Sequence, residues 1–254
     1  MKSTVLEKMF DNPPPKMGVP EEKDIPQRKP CRIPCTTEEL QEHLHKYVVY
    51  LREHGADDVR IVNAREIPQD SRVLLKCTHP KCPGYGVSGS CPPYSKGNFQ
   101  EAKEYLSAYT WAIVYRIDIP DEGRKYLCGP ESLDSYKTKE GRHRLGSFQR
   151  YLHAPGDEIE SMAFFDGHYF AINTHFGPCL IMHCEEFDQC QEIKAGVCRF
   201  PTLAKPSVEQ TFCIDLIKLA GRLGWQHYMQ GMSPRPKDYP EGYSSFGLGL
   251  VLID

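Results

Sequence analysis

Seven cysteines fall into two groups whose spacing suits metal chemistry. The first, Cys77, Cys82 and Cys91, has four and then eight residues between sulfurs. The second places Cys179, Cys184, Cys190 and Cys198 within twenty residues, with gaps of four, five and seven. Thiolates held this near one another repel, and the usual relief is a cation or an iron–sulfur core. Three thiolates would hold a four-iron cluster with one iron open. That iron would take an exogenous ligand, a substrate, or a fourth protein ligand such as His79, Cys31 or Cys35. The other reading is zinc, with Cys77, Cys82, Cys91 and His79 closing a tetrahedral site, although the short two-residue knuckle of zinc ribbons is missing. Glycines and prolines crowd the segment from Cys77 to Gly97, so it should be a loop able to direct amide N–H groups at sulfur.

Three residues near these groups have side chains suited to moving protons: Glu209, His175 and Tyr85. His183, Tyr94, Arg199 and Lys205 lie close enough in sequence to line the same site. Each has a plainer role open to it. A histidine is more often packed or solvated, a tyrosine in a Gly-Pro loop packs its turns, and a glutamate early in a helix complements the macrodipole. Cys213 reads as a buried inert thiol and Cys128 as structural.

The composition narrows the classes of function. A chain of 254 residues can fold around its own core without crosslinks. A formal net charge of -3 gives no basic field for a phosphate backbone, so nucleic acid is not an expected partner. The basic stretch from Lys137 to Arg150 reads as a solvated helix face. No apolar run approaches the roughly 20 residues that cross a bilayer, and the N-terminus has no sustained apolar signal core, so no membrane partner and a cytoplasmic location are expected. Eleven cysteines in a reducing compartment argue for metal rather than disulfides. Neither a G-x-G-x-x-G nucleotide loop nor a phosphate loop is present.

The elements that must position the cysteines follow from pattern. Residues 1–35 form a Pro-rich extended arm, and 36–254 a single cysteine-rich metal-binding domain. Thr36 and Glu39 make a capping box, and Leu40, Leu44, Tyr47, Val48 and Leu51 follow at helical spacing up to Gly55. Strands are expected at Val59–Ile67, Arg72–Lys76, Trp111–Ile119, His168–Thr174, Trp225–Gln230 and Phe246–Ile253. Helices are expected from about Asn98 to Tyr109, in part of Glu131–His153, and from Pro206 to Gly224. The sum is an α/β or α+β fold, a mixed sheet layered with helices, with the two cysteine-rich loops at strand ends.

These residues also carry a family resemblance. CPGYGVSGSCPP (Cys82 to Pro93), GPC (Gly177 to Cys179) and CRFPTLAKPSVEQ (Cys198 to Gln210), followed by Ile214-Asp215, resemble the predicted metal-binding family called domain of unknown function 2284. The likeness spans roughly residues 60 to 225 and departs from the family pattern at Lys205, usually Arg, and in the four residues between Cys179 and Cys184. It implies metal, iron–sulfur in the first place, at Cys77, Cys82, Cys91, Cys179, Cys184, Cys190 and Cys198. The expected function is an iron–sulfur protein with one or two [4Fe-4S] clusters. It would act in electron transfer with a redox partner protein, or as a redox or Lewis-acid enzyme on a small-molecule substrate. A zinc-stabilised binding module without redox chemistry is the alternative.

Overall fold

The computed structural model describes residues 36–119, 136–226 and 246–254. The Pro-rich arm and Cys31, Cys35 and Cys128 lie outside the described residues.

The first helix, α1 (Thr37–Glu53), starts where its capping box says. Glu39 N–H donates to Thr36 Oγ1 at 3.2 Å, and Thr36 N–H donates to Glu39 Oε2 at 2.8 Å. Leu44, Tyr47 and Leu51 form its buried stripe. Gly55, at φ +100°, turns the chain into β1 (Asp58–Asn63). Helix α2 (Phe99–Ser107), capped by Asn98, precedes β2 (Trp111–Asp118). Beyond it run α3 (Lys139–Phe165), β3 (Ile172–Thr174), α4 (Cys179–His183), α5 (Gln191–Ala195), α6 (Leu216–Arg222) and β4 (Phe246–Ile253).

The strands make one four-stranded sheet in the order β1-β2-β4-β3, and all three pairings are antiparallel. The fold is α+β. Both faces of the sheet are covered, so the central strands read as unbroken apolar runs. Ile113, Tyr115 and Ile117 of β2, with Val251 and Ile253 of β4, pack beneath α1 and α3. Ala112 and Val114, with Leu248, Leu250 and Leu252, face Leu106 of α2, Leu219 of α6 and the Val208–Ile214 segment. Every residue of β4 is buried.

Several expected elements are shorter or different. Arg72–Lys76 is not a strand but part of a 3₁₀ helix, Ser71–Cys77, because Asp70 Oδ1 accepts the Arg72 N–H at 2.9 Å and starts a tight turn. The first expected strand ends at Asn63, whose side chain caps a 3₁₀ turn over Ala64–Glu66. The His168–Thr174 strand contracts to Ile172–Thr174. The helix expected from Pro206 begins only at Leu216, capped by Asp215. Residues before it spend their backbone bonds elsewhere. His175 N–H donates to Pro206 O and Val208 N–H to His175 O, both at 3.0 Å, and Asp70 N–H donates to Cys213 O at 2.9 Å. Cys213, at φ +50°, is buried as expected but sits outside any helix. Trp225 and Gln226 are not in a strand, and the rest of that expected strand lies outside the described residues.

Sheet and helix layer meet with little tolerance at Gly249, where an added Cβ would stand 2.0 Å from Cζ of Tyr115. That ring is fully buried and its hydroxyl donates to Leu152 O at 2.8 Å, so it has no room to retreat. Gly249→Ala is therefore expected to destabilise the fold by about 1–3 kcal/mol through overpacking. The check is a lower urea midpoint at unchanged m value.

Candidate metal centre

The first cysteine loop is a chain of tight turns. Cys77 ends the 3₁₀ helix, Cys82 N–H donates back to Cys77 O at 3.0 Å, and Tyr85 N–H donates to Cys82 O at 2.9 Å. Gly86, at φ +78°, donates to Pro92 O at 2.7 Å and folds the loop on itself, and Cys91 N–H then bonds Ser88 O. The second loop leaves β3 through Gly177, and Pro178 caps α4, which begins at Cys179. Cys184 closes α4, Cys190 opens α5, and Gly196 ends it in the left-handed conformation just before Cys198.

The two loops dock on each other. Gly84 sits under Pro178, where an added Cβ would lie 2.8 Å from the Pro178 ring. Cys179 N–H donates to Ser90 Oγ at 3.4 Å, and Ser90 Oγ lies 2.9 Å from Ser88 Oγ. The Ser88 and Ser90 hydroxyls reach the sulfurs of both Cys91, from the first loop, and Cys179, from the second. The charge interactions link all but one of the sulfurs in a run: Cys77 with Cys82, Cys82 with Cys91, Cys91 with Cys179, Cys179 with Cys184, and Cys184 with Cys198. Cys190 joins through Cys179. The structure thus brings the two sequence groups into one region.

All seven are free thiols. Burial, reinforced by neighbouring sulfurs, pushes the Cys91 and Cys184 thiols up to about 11 and raises Cys77 and Cys179. Donors oppose this shift. Gln210 Nε2 donates to Cys77 Sγ at 3.0 Å, Ser88 and Ser90 reach Cys91 and Cys179, and Arg199 bonds Cys184. Separately, Gly84 N–H donates to Cys82 Sγ at 3.4 Å. Thiols with N–H and O–H donors aimed at them are the donor set of a thiolate-bound metal or iron–sulfur centre. Among the described residues, no three His, Cys, Asp or Glu side chains already stand close enough to hold a single ion.

The three proton-handling candidates separate. Glu209 lies beside Cys77, and burial raises its carboxyl pKa. The surface it keeps faces a largely apolar cavity of about 260 Å³ that it lines together with Lys76. Tyr85 sits under the Lys81 ammonium, 4.4 Å from its ring centroid. His175 is engaged with Asp157 and His153 rather than with a described thiol. Its Nε2 lies 2.9 Å from Asp157 Oδ1 and its ring stacks on His153 at 4.4 Å. His79 is exposed, with Nδ1 2.9 Å from Thr78 Oγ1. His183, beside Cys184, has two buried ring nitrogens without a hydrogen-bond partner.

Sequence reasoning missed Ser88, Ser90, Gln210 and His153. The serines stood inside the first cysteine motif, but their hydroxyls matter only because the second loop lands on them. His153 carried no local signal, being one of many polar residues on α3.

The family described as predicted metal-binding protein, DUF2284, matches residues 60–250. The chain belongs to that family. No curated protein and no solved structure matches it. The match takes in the seven grouped cysteines, both docking serines and β4 as far as Leu250. No helix among the described residues is long and apolar enough to cross a membrane.

The buried histidines predict a pH dependence of stability. Burial holds His153 well below the ordinary histidine value and lowers His183 to about 4, in both cases with repulsion from His175. Between pH 6.5 and about 4 the unfolded chain takes up protons that the folded chain refuses. Stability should therefore fall with acidification below pH 6.5, by up to about 1.4 kcal/mol per pH unit for each histidine. Urea unfolding at pH 7.0 and pH 5.5 measures the slope, and His153→Gln should make it shallower.

Proposed function

We propose that this family member is an iron–sulfur protein carrying one or two [4Fe-4S] clusters. Cys77, Cys82 and Cys91 would ligate from the first loop, and Cys179, Cys184, Cys190 and Cys198 from the second. The observation that carries this reading is the docking of the two loops through Ser88 and Ser90, which sets three free thiols against four. A bound cluster supplies one-electron redox chemistry and, at an iron left without a protein sulfur, Lewis acidity.

The chain's own groups have definite tasks in this reading. The Gln210 amide, the Gly84 N–H and the Arg199 guanidinium offset negative charge on Cys77, Cys82 and Cys184, which favours a more reduced centre. Glu209, its carboxyl pKa raised beside Cys77, is placed to give or take a proton there. Lys76, at the same cavity, adds a positive charge that would draw an electron-rich substrate group or an acidic redox partner. The reducing cytoplasm is the compartment that keeps such thiols free.

The experiment is an absorption spectrum with iron, acid-labile sulfide and zinc measured on protein purified without oxygen. Broad absorption near ~400 nm with about four or eight irons and equal sulfide per chain is expected. Zinc without sulfide would overturn the reading in favour of a structural thiolate site. Cys91→Ala should lower iron and sulfide together, whereas Cys213→Ala, which removes a buried thiol outside the two groups, should leave both unchanged. Full iron retention in Cys91→Ala would remove the first loop from the ligand set.

A further inference from the structure

A second cavity, about 470 Å³ in volume, opens between the two cysteine loops. Its apolar wall is made by Val87 of the first loop, Leu180 and Ile181 of α4, and Ile193 of α5. Arg142, Tyr136 and Lys194 supply polar lining, and Cys190 brings the cavity up to the candidate metal centre. Cys190 is the one cysteine of the seven among its described lining residues, so the cavity adjoins the place where the thiols gather and does not coincide with it.

Arg142 is the feature that the fold leaves unexplained. It stands in the first turn of α3, held there by its backbone N–H bonding Thr138 O at 3.0 Å. Its Nε is buried without a hydrogen-bond partner, and no described carboxylate pairs with its guanidinium. A buried guanidinium nitrogen left unsatisfied costs free energy unless an acceptor arrives, and the planar fork of Arg matches a carboxylate with two parallel bonds. Tyr136 adds a neutral O–H, because burial and the nearby thiols raise its pKa and keep the phenol protonated. Lys194 adds a second cation, whereas Asp188 on the rim subtracts one charge. The balance is one net positive charge, with the neutral polar groups of Tyr136 and Gln189, facing the apolar wall of Val87, Leu180, Ile181 and Ile193, which suits a monoanion with a hydrocarbon body.

We propose that the cavity between the cysteine loops binds a small organic carboxylate, with its charged end on Arg142 and its apolar body against Leu180, Ile181 and Ile193. Calling that carboxylate a substrate of the neighbouring centre rests on the iron–sulfur reading above; its binding does not.

The test is calorimetric titration of the purified full chain with acetate, benzoate and 2-naphthoate, alongside the neutral analogue benzyl alcohol. Iron, sulfide and zinc are measured on the same samples. Binding is expected to strengthen from acetate to the aromatic acids and to be lost with benzyl alcohol. Arg142→Gln should weaken it about tenfold or more, as expected for charged hydrogen bonds. Arg142→Lys should recover part of the loss, because it restores the charge but not the fork. Ile193→Trp, which fills the cavity from α5, should exclude 2-naphthoate more than acetate. Circular dichroism and the melting temperature show whether each variant is folded. Absence of binding by all three acids, or equal affinity in folded Arg142→Gln, overturns the proposal. Arg142-dependent binding in protein without iron and sulfide would uphold it while removing the cluster reading. Clusters without any carboxylate binding would do the reverse.

Discussion

The docking of the first cysteine loop onto the second is the contact on which the candidate site depends. Gly84 lies under Pro178 with no room for a side chain, and the Ser88–Ser90 pair meets the start of α4 at Cys179. Both loops are largely irregular; the first has few apolar residues, and the second buries Leu180, Ile181 and Met182 along the short helix α4. The first borrows rigidity from internal turns, and the second from α4 and α5, which are too short to be stable alone. What they share is the face between them, and that face is where the sulfurs lie.

Behind the loops, α3 acts as the support. Its Gly146 brings the helix so near α4 that an added Cβ would stand 2.3 Å from Ile181 O. One turn further, buried Arg150 donates to Met182 O at 2.6 Å and lies 3.6 Å from Glu185, which ties α4 and its following turn to the same helix. Asp157 then holds Asn173, within β3, and His175, just beyond it, and Glu160 pairs with Lys205. A continuous polar face on α3 therefore anchors the strand, the second cysteine loop and the segment after it. Arg150 is buried and the other charged groups half-buried, and their value lies in placing elements more than in net stability.

The thiols themselves oppose the arrangement. Burial and repulsion from neighbouring sulfurs raise the pKa values of Cys77, Cys91, Cys179 and Cys184, so the metal-free fold keeps those four thiols protonated. Binding a cation would release those protons and replace repulsion with ligation, and in that way metal affinity and the stability of the loop interface become linked. The donors from Gln210, Gly84, Arg199, Ser88 and Ser90 already favour the charged state that a metal needs.

Much of the local structure was legible in the residues. The capping box placed α1, continuous apolar runs placed β2 and β4, and the clustered cysteines marked the metal chemistry and the family, because each of these signals is carried by neighbours in sequence. The rest depended on partners far along the chain. Arg72–Lys76 reads as a strand from its residues, but Asp70 caps a 3₁₀ turn there, and the expected Pro206–Gly224 helix loses the part before Leu216 because that backbone pairs with His175 and Asp70. His175, a candidate by its nearness to Cys179 in sequence, turns instead to Asp157. The chain alone carried the cysteine-rich motifs of a predicted metal-binding family. Only the tertiary structure decided that Cys91 and Cys179 share two serines and that Arg142 lines a cavity between their loops, because long-range backbone bonds and close packing at glycine leave no periodic trace in the chain.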